Sequence, residues 1–446
     1  MQKMYNIGKY FTLLLIMAVL FMGIAYASSE NNITLWHSLP LENSRLFEEI
    51  MNKYVAETNG LITLNVVRFD SMDDLHQKLL EGGALPDIAL IDTEWQKALN
   101  EKHNVVFAED LILENVGKTV FIVFKMDTFK EMWEASKQNG KLLTLPFTGF
   151  NQALLIDEEV YKENNCKIYP KKWGDLVKIH KQINSNGNER IWTFAFPDYD
   201  DPELLAGFFQ LLVWQMDSDV FEIFQDGELA CFDSNQGRAA LQTMHNMINK
   251  DKTSIEEDST DGKMALSIGT PADYIEAVQM GKSVKVLKMP GHSKSANDLT
   301  VYSFMIFNKN NKRKLSKIWY LLYEACEFES ALKWSLATKY LPNNHQVTRS
   351  PKYFVHMNQY PGLKIFIQQL KNAKVSELDE QKQKSMQILG MNIRRALENQ
   401  MDIETALSES VNSANLIMDP KGDLRNKRAE MKAVNKFVKE AWSQDR

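Results

Sequence analysis

Cysteine is scarce. Cys166, Cys231 and Cys326 are the three thiols in 446 residues. They are too few for a disulfide scaffold and stand at no metal-ligand spacing. An odd number leaves at least one unpaired, and three buried free thiols are the expected state, with one disulfide as the other arrangement. Histidine is also sparse, eight in all, with no pair at metal spacing. HExxH, GxSxG, GxxxxGK[ST] and GxGxxG are missing, which removes the zincin, α/β-hydrolase, P-loop and dinucleotide readings. No cofactor is expected. Excess positive charge is missing too: 52 Lys and Arg stand against 58 Asp and Glu. A net charge of −6 has the wrong sign for a general nucleic-acid binder, which must displace phosphate counterions. There is no internal repeat and no low-complexity tract.

Long apolar runs are absent after the first thirty residues. The one present follows Lys3 and Lys9, runs from Tyr10 to Ile24, and ends in Ala25-Tyr26-Ala27 before Ser28-Ser29-Glu30. A positive start, an apolar stretch and small residues at the −3 and −1 positions describe a cleavable secretory signal over residues 1–27. The same residues allow an uncleaved span, because Tyr10 to Ala27 is close to bilayer length. No cysteine lies at the expected cut, so lipid attachment there is not expected. Removing Lys3 and Lys9 takes the net charge from −6 to −8. The location implied is extracytoplasmic, periplasmic or secreted.

What is present is an ordinary globular mixture, 44% hydrophobic and 25% charged, in a chain too long for one core. Two domains are expected. Ile33 to Trp36, Ile62 to Val67 and Ile88 to Ile91 read as strands. A helical face of Leu46, Phe47, Ile50 and Tyr54 separates the first two, and a helix from about Met72 to Glu81 separates the second and third. That β-α-β-α-β order specifies a parallel sheet covered by helices. Leu143 to Pro146 reads as a strand entering a turn at 147–151, and Ala153 to Ile156 as the strand leaving it. Asp226-Gly227 and Asp261-Gly262 read as turns. From Leu315 onward the chain reads as mainly helical, and Val434, Phe437, Val438, Ala441 and Trp442 keep the spacing of a helix docked on the body.

In parallel sheets ligands bind beyond the carboxyl ends of the strands. That rule singles out His37-Ser38-Leu39-Pro40 after the first strand and Asp92-Thr93-Glu94-Trp95 after the third. The acidic run Asp198, Asp200, Asp201 and Glu203 has neither the spacing nor the glycine of a calcium loop, and a solvated acidic loop is the simpler reading.

Seven segments in order carry a family pattern: ITLWHSL at 33–39, LPDIALID at 85–92, LLTLPFTGFNQALLID at 142–157, YPKKWGDLVK at 169–178, KMALSIGTPADY at 263–274, KVLKMPG at 285–291 and KYLPNN at 339–344. With them the chain resembles the extracellular solute-binding proteins of ABC importers, in the group that binds sugars and glycerol phosphate derivatives. The resemblance implies a two-lobed α/β periplasmic-binding-protein fold, each lobe a mostly parallel sheet flanked by helices, with a helical C-terminal part. By analogy lobe one holds 30–147 and 302–345, and lobe two holds 148–301 and 346–446. It further implies a monomer that closes over a small solute, a carbohydrate by this reading, and hands it to the transmembrane subunits of an ABC permease. An exported sensor, or a glycerol-phosphate-type binder, is the alternative role. A glycosidase using Asp92 and Glu94 is not expected.

A sugar presents flat C–H faces and hydroxyls, so aromatics and planar polar groups are the expected wall. Trp36, Trp95, Phe150, Trp214, Tyr274, Tyr302 and Tyr340 are the aromatic candidates, and core packing is open for each. Trp36 sits within a strand and is assigned to the core. Tyr274, Tyr302 and Tyr340 fall in segments that match cleft-facing parts of the family. Asp92 and Glu94 are the carboxylate candidates. Ser38, Thr148, Asn151 and Thr270 are the polar candidates at turn positions, where capping is their alternative role. The turn that carries serines in the glycerol-phosphate branch reads TGFN here, and a glycine pair of that branch reads Tyr302-Ser303, which argues against phosphate recognition.

Overall fold

The computed structural model describes residues 31–59, 61–184, 191–256, 263–307 and 312–444, with side chains described for all but 255, 256 and 435–444. The expected export signal and the expected turn at 261–262 lie outside these residues. The chain divides into two compact units, Met1–Gly149 with Thr300–Val355, and Phe150–Leu299 with His356–Arg446.

The first unit opens with β1 (Asn32–His37), α1 (Leu41–Glu57), β2 (Thr63–Arg68), α2 (Met72–Glu81) and β3 (Ile88–Asp92). β1 pairs in parallel with both β2 and β3. β3 is a continuous apolar run because it is covered on both faces, and Ile88, Ala89, Leu90 and Ile91 are all buried. α2 begins where the Ser71 hydroxyl accepts from the Asp74 N–H and ends at Gly82, whose φ of 81° suits glycine. Next comes α3 (Ala108–Asp127), broken at Gly117 by a φ of 76°. β4 (Leu145–Asn151) then carries the chain into the second unit.

There β5 (Ala153–Asp157), α4 (Asp175–Ile183), β6 (Ile191–Phe196), α5 (Pro202–Gln215), β7 (Lys263–Gly269), α6 (Pro271–Gln279) and β8 (Val284–Leu287) follow. Their sheet has the order Ser254–Glu256, β6, β7, β5, β8. β9 (Asn297–Phe307) returns to the first unit, where α7 (Lys312–Cys326), α8 (Phe328–Ala337) and β10 (Leu341–Pro342) lie. The first unit's sheet runs β10, β4, β9, β3, β1, β2. The second unit is completed by α9 (Glu380–Leu397), α10 (Ile403–Met418) and α11 (Asp423–Gln444). Its core joins Trp173, Phe194, Phe196, Phe208 and Phe209 to Leu389 and Ile393 of α9.

α9 crosses α5 at Gly390, where an added Cβ would strike the Pro202 carbonyl oxygen. Gly390→Ala is therefore expected to cost about 1–3 kcal/mol as two backbones are forced apart. Urea unfolding of the variant checks this, and a loss below about 0.5 kcal/mol would show that the helices slide freely.

Four expectations are corrected. Residues 147–151 form no turn: β4 is one strand, pairing Gly149 with Leu341 and Thr148 with Pro342. Gly149 is there for room, since a Cβ would come within 2.5 Å of the Thr300 carbonyl oxygen. The sheets are mixed rather than mostly parallel. β9 runs antiparallel to β3, and β7 and β8 antiparallel to β5. β9 arrives directly from the other unit, without the helical crossover a parallel neighbour requires. The third chain crossing falls after Val355, not after 345. His345 stays with the first unit because its ring packs on Phe129, centroids 4.4 Å apart, and the Phe129 N–H donates to the Asn343 carbonyl. Finally, Val434 on α11 is exposed, so it takes no part in docking that helix, while Leu424 is buried. Side chains beyond 434 lie outside the described residues.

All three cysteines are free. Cys166 and Cys326 are buried, whereas Cys231 is only half-buried. The run at 198–203 organises the start of α5: the Asp201 carboxylate accepts from the N–H groups of Glu203 and Leu204, and Asp200 pairs with Arg394. No cluster of three metal-ligating side chains occurs among the described residues.

Candidate functional site

In the first unit, five of the predicted site residues gather at the carboxyl end of β3. Asp92 is the last residue of that strand, and the antiparallel register sets Tyr302 of β9 directly opposite it. The Asp92 carboxylate accepts from the N–H groups of Glu94 and Trp95, which tightens the turn out of the strand. Its Oδ1 is buried with no hydrogen-bond partner. Tyr340 stands edge-on to Tyr302, centroids 5.7 Å apart at 80°, and the two hydroxyls are hydrogen-bonded. Tyr340 in turn stacks on Trp334 at 5.9 Å and 15°. The Trp334 indole donates to Thr148 Oγ1, and that hydroxyl donates to the Leu341 carbonyl, so the platform is held from beneath.

α2 supplies a residue that sequence reasoning missed. His76 is buried, its ring tilted against Trp95 at a centroid distance of 5.1 Å. Its Nε2 lies 3.7 Å from Asp92 Oδ2, and both ring nitrogens lack a hydrogen-bond partner. The signal was its helical position: residue 76 is three before Leu79 and four after Met72, on the inward face. Trp334, also missed, lies on α8 six residues before Tyr340, and the turn from α8 into β10 folds that ring onto it.

Burial sets the electrostatics. It pushes the Asp92 carboxyl up to about 7, against the pull of the Trp95 and Glu94 N–H groups and with a smaller push from Asp73. It drives His76 down to about 3, so the imidazole is neutral. Burial, with Tyr340, Asp92 and Glu94 nearby, raises the Tyr302 phenol well above its usual range. The arrangement gathers acceptors and flat rings around an unmet carboxylate oxygen, with no Lys or Arg among the residues named. It suits a neutral, donor-bearing solute with apolar faces.

Ser38 follows the neighbouring strand β1, and its hydroxyl lies 3.4 Å from Met72 Sδ at the start of the helix that carries His76. His37, beside it, is structural: it is buried, its Nδ1 accepts from the Leu39 N–H, and burial followed by the Arg68 charge lowers it to about 4. Trp36 packs on Phe69 at 5.2 Å.

The remaining candidates belong to the second unit. Phe150 is half-buried in β4. Asn151, fully buried, donates to the Phe366 carbonyl, while its Oδ1 is unmatched. Tyr274 is buried against Phe366, and its hydroxyl accepts from the Gly362 N–H at 3.0 Å. Thr270 forms a reciprocal capping box with Asp273 at the start of α6. Trp214 is buried, donates to Asp219, and carries the Lys374 ammonium 5.4 Å from its ring centroid. Asn151 and Tyr274 thus flank Phe366, and Thr270 and Trp214 spend their donors within their own unit, while the Tyr274 hydroxyl accepts there.

The chain is thus two α/β units joined by three crossings, with carboxylate and aromatic side chains gathered at a strand terminus of the first. The chain belongs to the bacterial extracellular solute-binding proteins, whose family model matches residues 49–363. It is 22% identical over 268 residues to a lactose-binding protein of Rhizobium radiobacter, a match that spans 58% of this chain and 59% of that one. The fold is similar to that of the cyclic alpha-maltosyl-1,6-maltose binding protein of Arthrobacter globiformis, with a TM-score of 0.72, 18% identity, and coverage of 86% of this chain and 98% of that one. It is also similar to UgpB of Mycobacterium tuberculosis in complex with glycerophosphocholine, with a TM-score of 0.71, 14% identity, and coverage of 87% and 99%. At these identities the solved structures establish the two-lobed α/β binding-protein fold and nothing finer. Among the described residues no helix is long and apolar enough to cross a membrane.

Proposed function

We propose that this protein captures a sugar or sugar-like solute outside the cytoplasmic membrane and delivers it to the transmembrane subunits of an ABC importer, without chemical turnover. The observation that carries the reading is the first unit's strand-end cluster: Asp92 with an unmet buried oxygen, beside the ring wall of Tyr302, Tyr340 and Trp95. Sugar hydroxyls supply the donors that Asp92 lacks, and sugar C–H faces lie on aromatic rings. The family membership and the saccharide ligands named for its relatives point the same way. The absence of a cation within the set disfavours a phosphate-bearing solute.

Thermal unfolding of the chain from Ser28 onward, against a panel of mono- and oligosaccharides, polyols, sugar phosphates and glycerophosphodiesters, tests this. A solute at a hundred times its Kd should add about 2.7 kcal/mol, a rise of several degrees in Tm. A neutral saccharide hit without product formation is the expected result. A hit confined to phosphates, or conversion of a glycoside, overturns the reading.

A further inference from the structure

The second half of α3, Lys118–Asp127, is apolar on the wrong side. Its inner residues Phe121 and Phe124 pack on Trp133, with centroids 5.6 and 6.3 Å away. Its outer residues are also apolar: Val120 is 37% exposed, Ile122 43%, Val123 56% and Met126 76%. A surface helix of a globular protein ordinarily turns charge outward, and one apolar all round has a second apolar environment to meet. Lys118, Lys125 and Lys130 rim this face and are exposed.

A second local rule is broken next to it. The first turn of α7 carries Lys312, Arg313 and Lys314 and no acid, although the N-terminal end of a helix disfavours positive charge. Lys314 is explained by its ion pair with buried Asp87 at 2.9 Å. Lys312 and Arg313 are exposed and serve no core. The two features are neighbours: Lys312 reaches Glu114 at 3.3 Å, and the Ser316 hydroxyl donates to Asn115, just before the break at Gly117. Five residues separate Asn115 from Val120, at most about 18 Å of chain.

An exposed apolar helix face and a cluster of cations in a chain of net negative charge thus meet in one region of the first unit. We propose that the outer face of Lys118–Asp127 and the basic first turn of α7 together form a lipid-facing surface that rests on an anionic phospholipid bilayer. The apolar side chains enter the acyl boundary and the cations meet the headgroup phosphates.

Flotation of the chain from Ser28 onward, which keeps every described residue, with phosphatidylcholine vesicles and with vesicles containing phosphatidylglycerol tests this. The chain should float with the phosphatidylglycerol vesicles, less so at high salt, and poorly with phosphatidylcholine alone. I122E/V123E should lower the partition coefficient by about tenfold or more, since two buried apolar contacts are worth more than 1.4 kcal/mol. K312E/R313E should weaken binding and abolish its salt dependence. Unchanged unfolding midpoints show that both variants fold. No flotation of the parent chain, or flotation indifferent to I122E/V123E, overturns the proposal. So does a dimer in sedimentation velocity that I122E/V123E dissociates without any vesicle binding, which would give the face to a second copy of the chain.

Discussion

Asp87→Ala is expected to destabilise the first unit by about 3–5 kcal/mol, the usual cost of leaving a buried charge without its partner. Asp87 is buried just before β3. Its Oδ2 accepts from the Thr34 N–H at 2.8 Å and from the Thr34 hydroxyl at 2.9 Å, while its own N–H donates to that hydroxyl at 2.9 Å. Its Oδ1 meets the Lys314 ammonium at 2.9 Å, and Lys314 is itself only 12% exposed. One carboxylate thus ties β1, β3 and α7 together. Alanine would take from the Lys314 ammonium and the Thr34 N–H the buried carboxylate that meets them. Against a whole-domain stability of about 5–15 kcal/mol, that loss should be plain in urea unfolding. Adding Lys314→Met should return part of it, because the stranded charge is then gone. A single-variant loss under about 1 kcal/mol would mean that water reaches the pair.

Asp92→Asn should separate two roles of one carboxylate. In the parent protein Asp92 titrates near 7 when folded, against an ordinary value of 3.8. The folded state therefore holds a proton that the unfolded state has lost between about pH 4 and 7, and stability falls as pH rises through that window, by at most about 1.4 kcal/mol per pH unit. His76, driven down to about 3, stays neutral throughout. Asparagine carries no charge to bury, so the variant's stability should be flatter over the same window and should exceed the parent's above pH 7. Solute binding should respond in the opposite sense. Hydroxyls donating to the ionised carboxylate favour its charged form, so the parent should bind more tightly as pH rises through 7 and release a proton on binding. The variant should lose about 1.5–3 kcal/mol of affinity, roughly ten- to a hundredfold in Kd, together with the pH dependence. Calorimetric titration at pH 5.5 and 8 with the solute found by thermal shift measures both. An unaltered Kd in the variant would remove Asp92 from the binding surface.

The elements of the first half were legible because they obey local rules. β3 is apolar from Ile88 to Ile91 because helices cover both faces of its sheet, and α2 shows its capping serine, its apolar stripe and its closing glycine within a few residues. The segment 147–151 misled for the same reason. Pro146 and Gly149 are turn formers in isolation, yet the strand is imposed by pairing with Leu341 and Pro342 and by the close approach of Thr300. Aromatic candidates could be named but not sorted. A tyrosine whose hydroxyl serves Gly362 and one that stands beside Asp92 look alike until the partners are seen.

The sequence by itself determined the α/β class, the expectation of two domains, the exclusion of the common catalytic motifs and the choice of Asp92–Trp95 as a candidate place for ligand. Each follows from periodicity, composition or the strand-end rule, which act over a dozen residues. Tertiary structure alone decided that His76 reaches Asp92, that Tyr302 stands opposite it, and that the Tyr274 hydroxyl accepts from Gly362. Those contacts join residues far apart in the chain. Their geometry is set by strand register and helix packing, whose energies come from burial over whole elements rather than from any local run of residues.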